Sequence, residues 1–169
     1  MIVEVVPYNP NWPAQFEAEA AILREILGDI VITIHHIGST SVPGLQAKPI
    51  IDMIPEVTDI EALDAMASQF EAHGYEVMGA YGIPGRRYFR KGGDHRTHHI
   101  HAFASGDPNI DRHLAFRDYL RAHPVVAQEY GRVKEESARR SNNNIEDYCD
   151  AKDPFIKLHE PKALAWYTS

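Results

Sequence analysis

The residues able to do chemistry fall in three places. Between two β-branched runs, Gly38-Ser39-Thr40-Ser41 combines a glycine, free to adopt backbone geometry closed to other residues, with three hydroxyls beside main-chain N–H groups. That composition suits a phosphate, and Lys48 follows in a short polar crossing. Asp52 then stands alone among Ile50, Ile51, Met53 and Ile54, where an unpaired carboxylate is costly to bury. It requires a cation, a metal or a set of donors. In the run from Thr97 to Phe103, strand alternation sends His99 and His101 to one face and His98 to the other. Two imidazoles beside a nearby carboxylate suit a transition metal such as zinc or manganese.

Asp52, His99 and His101 are therefore the expected metal ligands, with Asp52 the catalytic candidate. Gly38, Ser39, Thr40, Ser41, Lys48 and Arg87 form the expected phosphate set. Arg86 adds charge beside Arg87, and one of His35 and His36 is expected to share the cleft. The ordinary alternatives are a Ser/Thr-capped turn, a buried ion pair of Asp52 with Lys48 or Arg87, and solvent-facing histidines. Most of Arg117, Lys134, Arg139, Arg140 and Lys152 read as solvated helix faces, a pocket role requiring them to fold back over the strand ends.

Positioning these groups takes strands over residues 2–6, 30–37, 50–57, 75–78, 86–91 and 97–104. The last two form a hairpin turning at Gly92-Gly93-Asp94. Phe16, Ala20, Leu23 and Leu27 lie on one face of a helix entered near Pro13 and closed by Gly28. A second helix, opened by a Thr58-x-x-Glu61 capping box, carries Ile60, Leu63, Ala67 and Phe70 and stops near Gly74. Asp107-Pro108 opens a third that ends before Pro124, and a fourth runs from Pro124 to Arg140. After a polar break at residues 141–144 the chain is helical with interruptions at Pro154 and Pro161. A strand-rich part over about 1–105 followed by a helical part over about 106–169 predicts one α+β domain spanning 1–169. Its mixed β-sheet carries flanking helices and a helical C-terminal layer.

The formal charge of −7 argues against broad nucleic-acid or anionic-membrane binding. Cys149 is the single cysteine, so no intramolecular disulfide or cysteine metal cage can form, and it reads as a small half-buried residue. There is no basic region followed by an apolar signal core, nor a run of about 18–20 apolar residues, which predicts a soluble cytoplasmic protein. The expected partner is a small nucleotide or phosphorylated metabolite; oligomeric state is left open.

Ile37-Gly38-Ser39, a spacer over residues 40–51 and Asp52-Met53-Ile54 together resemble the nucleotidyltransferase signature of Gly-Ser followed by an acidic–apolar–acidic triplet. The chain more closely resembles the GrpB family of that superfamily. The matching residues are Pro7-Tyr8-Asn9-Pro10-x-Trp12, residues 36–45, residues 47–52, His99-Ile100-His101, Phe116-Arg117-Asp118-x-Leu120-Arg121, Tyr130-x-x-x-Lys134 and Tyr148-x-x-x-Lys152. The resemblance implies a nucleotidyltransferase-like fold whose glycine-serine turn holds nucleotide phosphates. Gly38 and Ser39 would meet phosphate. Asp52 would bind a divalent metal (Mg, Mn or Zn) that aligns a nucleoside triphosphate for in-line displacement. GrpB-type domains also occur fused to dephospho-CoA kinase, which points toward coenzyme A or nucleotide metabolism. The second acid of the triplet falls at Ile54, so three chemistries stay open. These are a metal-dependent transferase rebuilt on histidines, a non-catalytic nucleotide or phosphate binder, and a His/Asp metal-dependent hydrolase.

Overall fold

Five strands of the predicted set pair into one mixed sheet. The computed structural model describes residues 3–142 and 144–169. It divides the chain into two compact units: Asn11–Ile37 with Ile50–Ile110, and Met1–Pro10 with Gly38–Pro49 and Asp111–Ser169. The helical part thus includes two short pieces from the strand-rich part.

The sheet unit contains α1 (Trp12–Leu27), β1 (Val31–Ile37), β2 (Ile51–Val57), α2 (Ala67–Ala72), β3 (Tyr75–Val77), β4 (Arg87–Lys91) and β5 (His98–Ala104). The strand order is β1-β2-β5-β4-β3, with β2 and β5 parallel and the other pairs antiparallel. An α+β fold with a mixed sheet is what the strand-then-helix order demands. β2 lies between two neighbours and is buried on both faces, Met53, Ile54 and Val57 each at 0 % exposure. Phe16 of α1 stacks on His36, ring centroids 4.6 Å apart, and Phe70 of α2 stacks on Phe89 at 3.9 Å. Cross-strand pairing puts His36, Met53, Ile100 and Phe89 on this helix-covered face.

The β4–β5 hairpin turns as expected at Gly92 and Gly93, both at positive φ. A Cβ at Gly92 would meet the His95 carbonyl oxygen at 2.3 Å, so only glycine fits there. The expected capping box does not form. Asp59 Oδ1 accepts from Glu61 N at 3.1 Å, and the segment starts as a 3-10 turn at Glu61, too late for Glu61 to reach back.

In the helical unit, most of α3 (Pro108–Ala122), α4 (Pro124–Arg140) and α5 (Ile145–Tyr167) surround two small cores. One joins Val42, Leu45, Leu120, Ala127, Tyr130 and Phe155; the other joins Val3, Ala138 and Tyr148. The N-terminal strand is reduced to an isolated bridge of Val6 with Ala47, because Pro7 has no N–H to extend the ladder. Ile2 of that expected strand and Asn143 of the polar break lie outside the described residues. α5 runs without interruption through Pro154 and Pro161. Both prolines are on its exposed side, where water can satisfy the freed carbonyls, while Tyr148, Phe155, His159 and Ala163 anchor the buried side. Cys149 is exposed rather than half-buried, one position past the buried Tyr148.

Candidate metal and phosphate site

The face of the sheet opposite α1 and α2 carries the polar residues. Register pairs Asp52 with Ile37 on β1 and with His99 on β5, and pairs His101 with Tyr88 on β4. Directly opposed residues share a face, so Asp52, His99, His101 and Tyr88 meet on one surface. One carboxylate oxygen serves both imidazoles. His101 Nε2 lies 3.1 Å and His99 Nδ1 3.4 Å from Asp52 Oδ1, with 28 % of the Asp52 side chain exposed. Burial alone would raise the Asp52 pKa, but bonds and charge from His101 and His99 outweigh it and hold the carboxyl well below its usual range.

The three donors lie within 4.8 Å of one another. Donors about 2.1 Å from one tetrahedral zinc stand about 3.4 Å apart, close to these separations, so the residues fit a divalent ion. His99 Nε2 is buried and has no hydrogen-bond partner among the described residues. The proton of that ring therefore belongs on Nδ1, facing Asp52, because moving it to Nε2 would give up the contact and bury an unpaired N–H.

The sequence reading paired Arg87 with this site. Arg87 instead lies on the other face, with Nε 2.8 Å and Nη2 3.1 Å from the Asp64 carboxylate. Arg86 is the arginine brought to the histidines: its Nη1 lies 3.4 Å from His101 Nδ1 and its guanidinium sits 4.8 Å from the Tyr88 ring centre. Its Nε and Nη2 donate to the carbonyls of Ala80 and Tyr81. Those carbonyls belong to the loop between β3 and β4, which carries Gly79, Gly82 and Gly85, and no residue type announces its role in fixing an arginine. Tyr88 escaped notice because it becomes visible only once the hairpin register is known.

Ile54, at the position of the second acid, is fully buried. Glu56, two residues further on the same face, is held by His35 Nε2 at 2.9 Å and by Ser105 Oγ at 2.8 Å. Its pKa is lowered chiefly by the His35 bond and then by Ser105. Of the two adjacent histidines, His35 shares the Asp52 face and His36 does not.

In the helical unit, the expected phosphate turn is a 3-10 turn over Ser39–Ser41 entered by Gly38 at φ 72°. Thr40 and Ser41 are buried, and the Ser41 hydroxyl and N–H both donate to the Gly38 carbonyl. The Arg121 guanidinium ties the turn to α3 by donating to the Ser41 carbonyl at 2.9 Å. Gly38 and Ser39 are accessible, so they are the members of the quartet able to meet a ligand. Lys48 stands with its Nζ 5.6 Å from the Tyr148 ring centre.

The GrpB protein family model matches residues 2–162. The chain belongs to the GrpB family. A crystal structure of conserved protein GrpB from Enterococcus faecalis overlays at TM-score 0.95 and 47% identity, covering 98% of this chain and 100% of that one. The chain is 49% identical to UPF0157 protein YqkA of Bacillus subtilis over 97% of its own length and 48% of that protein. It thus spans about half of this longer relative. It is 27% identical to a dephospho-CoA kinase of Mycolicibacterium paratuberculosis, over 99% of this chain and 46% of the kinase. The structure of Cid1 in complex with the UTP analog UMPNPP overlays at TM-score 0.48 and 14% identity, over 78% of this chain and 44% of that one. Among the described residues, no helix is long and apolar enough to cross a membrane.

Proposed function

We propose that this GrpB-family chain binds a nucleotide or small phosphorylated metabolite with the help of a divalent cation, in the manner of a nucleotidyltransferase. The observation that carries the reading is the convergence of Asp52, His99 and His101 within 4.8 Å on one sheet face. The Gly38-Ser39 turn and the spacing to Asp52, which resemble the nucleotidyltransferase signature, support it. A cation bound by these three residues would neutralise phosphate charge and orient a displaceable group. Asp52, ionised throughout the physiological range, supplies the fixed negative charge, and the two rings supply neutral nitrogen ligands. The relationship to dephospho-CoA kinase makes a nucleotide or a coenzyme A precursor the first ligands to try.

Ile54 favours a second reading, a binding protein without transfer chemistry. An apolar, fully buried residue there cannot hold the second ion that aligns a leaving group. A thermal-shift screen of nucleoside triphosphates, each with Mg²⁺, Mn²⁺ or Zn²⁺, tests the first reading. At least one pair should stabilise the wild type and leave Asp52→Ala unmoved. Equal responses from both proteins, or none from either, would contradict it. Turnover of a labelled triphosphate separates transfer from binding.

A further inference from the structure

The helical unit holds a cavity of about 430 Å³ that the metal reading does not use. Its floor is made by Leu45, Leu120 and Ala127, three buried members of one of the two small cores. Pro43 and Pro124 stand at its exposed edge, each with the φ angle that a proline ring fixes. The volume falls within the roughly 300–1,000 Å³ of small-molecule sites, which commonly join an apolar lining to a few polar groups. Edges that are already rigid leave little to be ordered on binding.

Arg121 and Gln128 are the polar side chains of the lining, and among the described residues Arg121 is the one charged group on it. Its Nε donates to the Ser41 carbonyl at 2.9 Å, which tethers the guanidinium beside the cavity. Its Nη1 comes no nearer than 3.8 Å to Asp118 Oδ1, beyond hydrogen-bond distance, and that oxygen already accepts from Arg117 Nε at 2.8 Å. One carboxylate thus serves two guanidiniums. Burial, then the Arg117 charge, lower the Arg121 pKa, the sign of a cation short of counter-charge, although an arginine stays charged at any working pH. With 42 % of its side chain exposed, Arg121 can be reached from solvent. An oxyanion on an apolar body suits this lining: the head pairs with the guanidinium while the body covers the floor. Imperfect packing where α3 meets α4 would account for the volume, but not for a tethered, under-compensated cation on the wall.

We propose that this cavity binds a small organic oxyanion, a carboxylate or phosphate monoester carried on an apolar ring, with Arg121 pairing the head group and Gln128 at the rim. The site needs neither a metal ion nor Asp52, so it and the metal reading can fail separately.

The test uses the full chain in EDTA and titrates naphthyl phosphate and naphthoate by calorimetry, with inorganic phosphate and naphthol as the head and the body alone. At least one naphthyl anion should bind one per chain, about tenfold or more tighter than either fragment, and the tighter of the two identifies the head group. Its binding should shift the methyl resonances of Leu45, Leu120 and Ala127. Arg121→Gln should weaken it about tenfold or more, the loss expected for a charge-assisted pair. Gln128→Glu, a change of equal size at an exposed helix position, should keep the melting temperature and weaken binding severalfold by setting a negative charge at the rim. That variant decides the matter should Arg121→Gln fold poorly. Asp52→Ala should bind as the wild type does. No binding of either anion, naphthol binding as tightly as the anions, full affinity in Gln128→Glu, or loss of binding in Asp52→Ala would overturn the site.

Discussion

His101 Nε2 stands 3.1 Å from Asp52 Oδ1, although the register pairs Asp52 with His99 rather than His101. The other nitrogen of that ring faces Arg86 Nη1 at 3.4 Å. A guanidinium has no acceptor, so His101 Nδ1 accepts from Arg86 and Nε2 donates to Asp52. Arg86 thus fixes the ring's tautomer through a contact that lies off the Asp52 side. Binding a cation through Nε2 requires that proton to leave.

Arg86 should for this reason oppose metal uptake. Arg86→Ala removes the donor at Nδ1 and frees the ring to carry its proton there. Its Zn²⁺ affinity should rise about tenfold, within the range known for groups that orient metal-binding histidines. Competition against a chelating indicator measures it. An unchanged or weaker affinity would contradict the tautomer argument.

The lowered Asp52 pKa makes a signed prediction about acid. A carboxyl whose folded value lies below its unfolded value of about 3.9 contributes stability above that pH and loses it as pH falls through the folded value. Asp52→Asn should cost about 1–3 kcal/mol at pH 7, and the difference should shrink toward pH 2. Urea unfolding along a pH series reads both numbers; a pH-independent difference would count against it.

A buried carboxylate, Glu19, lies on the helix α1 side of the sheet. Glu19, 6 % exposed, accepts from Lys91 at 2.6 Å and Tyr75 at 2.8 Å, with His98 Nε2 at 3.6 Å. Burial opposes its ionisation, and the Lys91 and Tyr75 bonds outweigh that to lower its pKa. Lys91→Met strands the charge and should cost about 3 kcal/mol, whereas adding Glu19→Leu should recover most of the loss. Chemical denaturation of the single and double variants checks it.

Gly92 sets the hairpin that aligns His99 and His101 with Asp52. Gly92→Ala forces a side chain onto φ 107° and into the His95 carbonyl. A destabilisation of about 2 kcal/mol or more is expected, with hydrogen exchange quickened first along β4 and β5.

Much of this was readable in the residues. Period-2 alternation put His99 and His101 together, the burial cost of Asp52 predicted partners for it, and Gly28, Gly92 and Pro124 marked real boundaries. The misses share a cause: each was settled by tertiary surroundings. Pro154 and Pro161 did not break α5 because its buried side holds the helix together. Arg87 was preferred to Arg86 because adjacent residues differ only in the face they take, which the hairpin register decides. Lys134 read as a solvated residue because nothing in a lone Tyr-x-x-x-Lys shows that the ammonium is buried and donates to the Gln46 carbonyl of a distant segment.

The central claim is that Asp52, His99 and His101 hold one divalent ion. Isothermal titration with Zn²⁺, and separately with Mn²⁺, tests it on the wild type, Asp52→Ala and His99→Ala. The account predicts one ion per wild-type chain for at least one metal, and loss of that binding in both variants. No binding to the wild type, or the same stoichiometry and affinity in all three proteins, would contradict it.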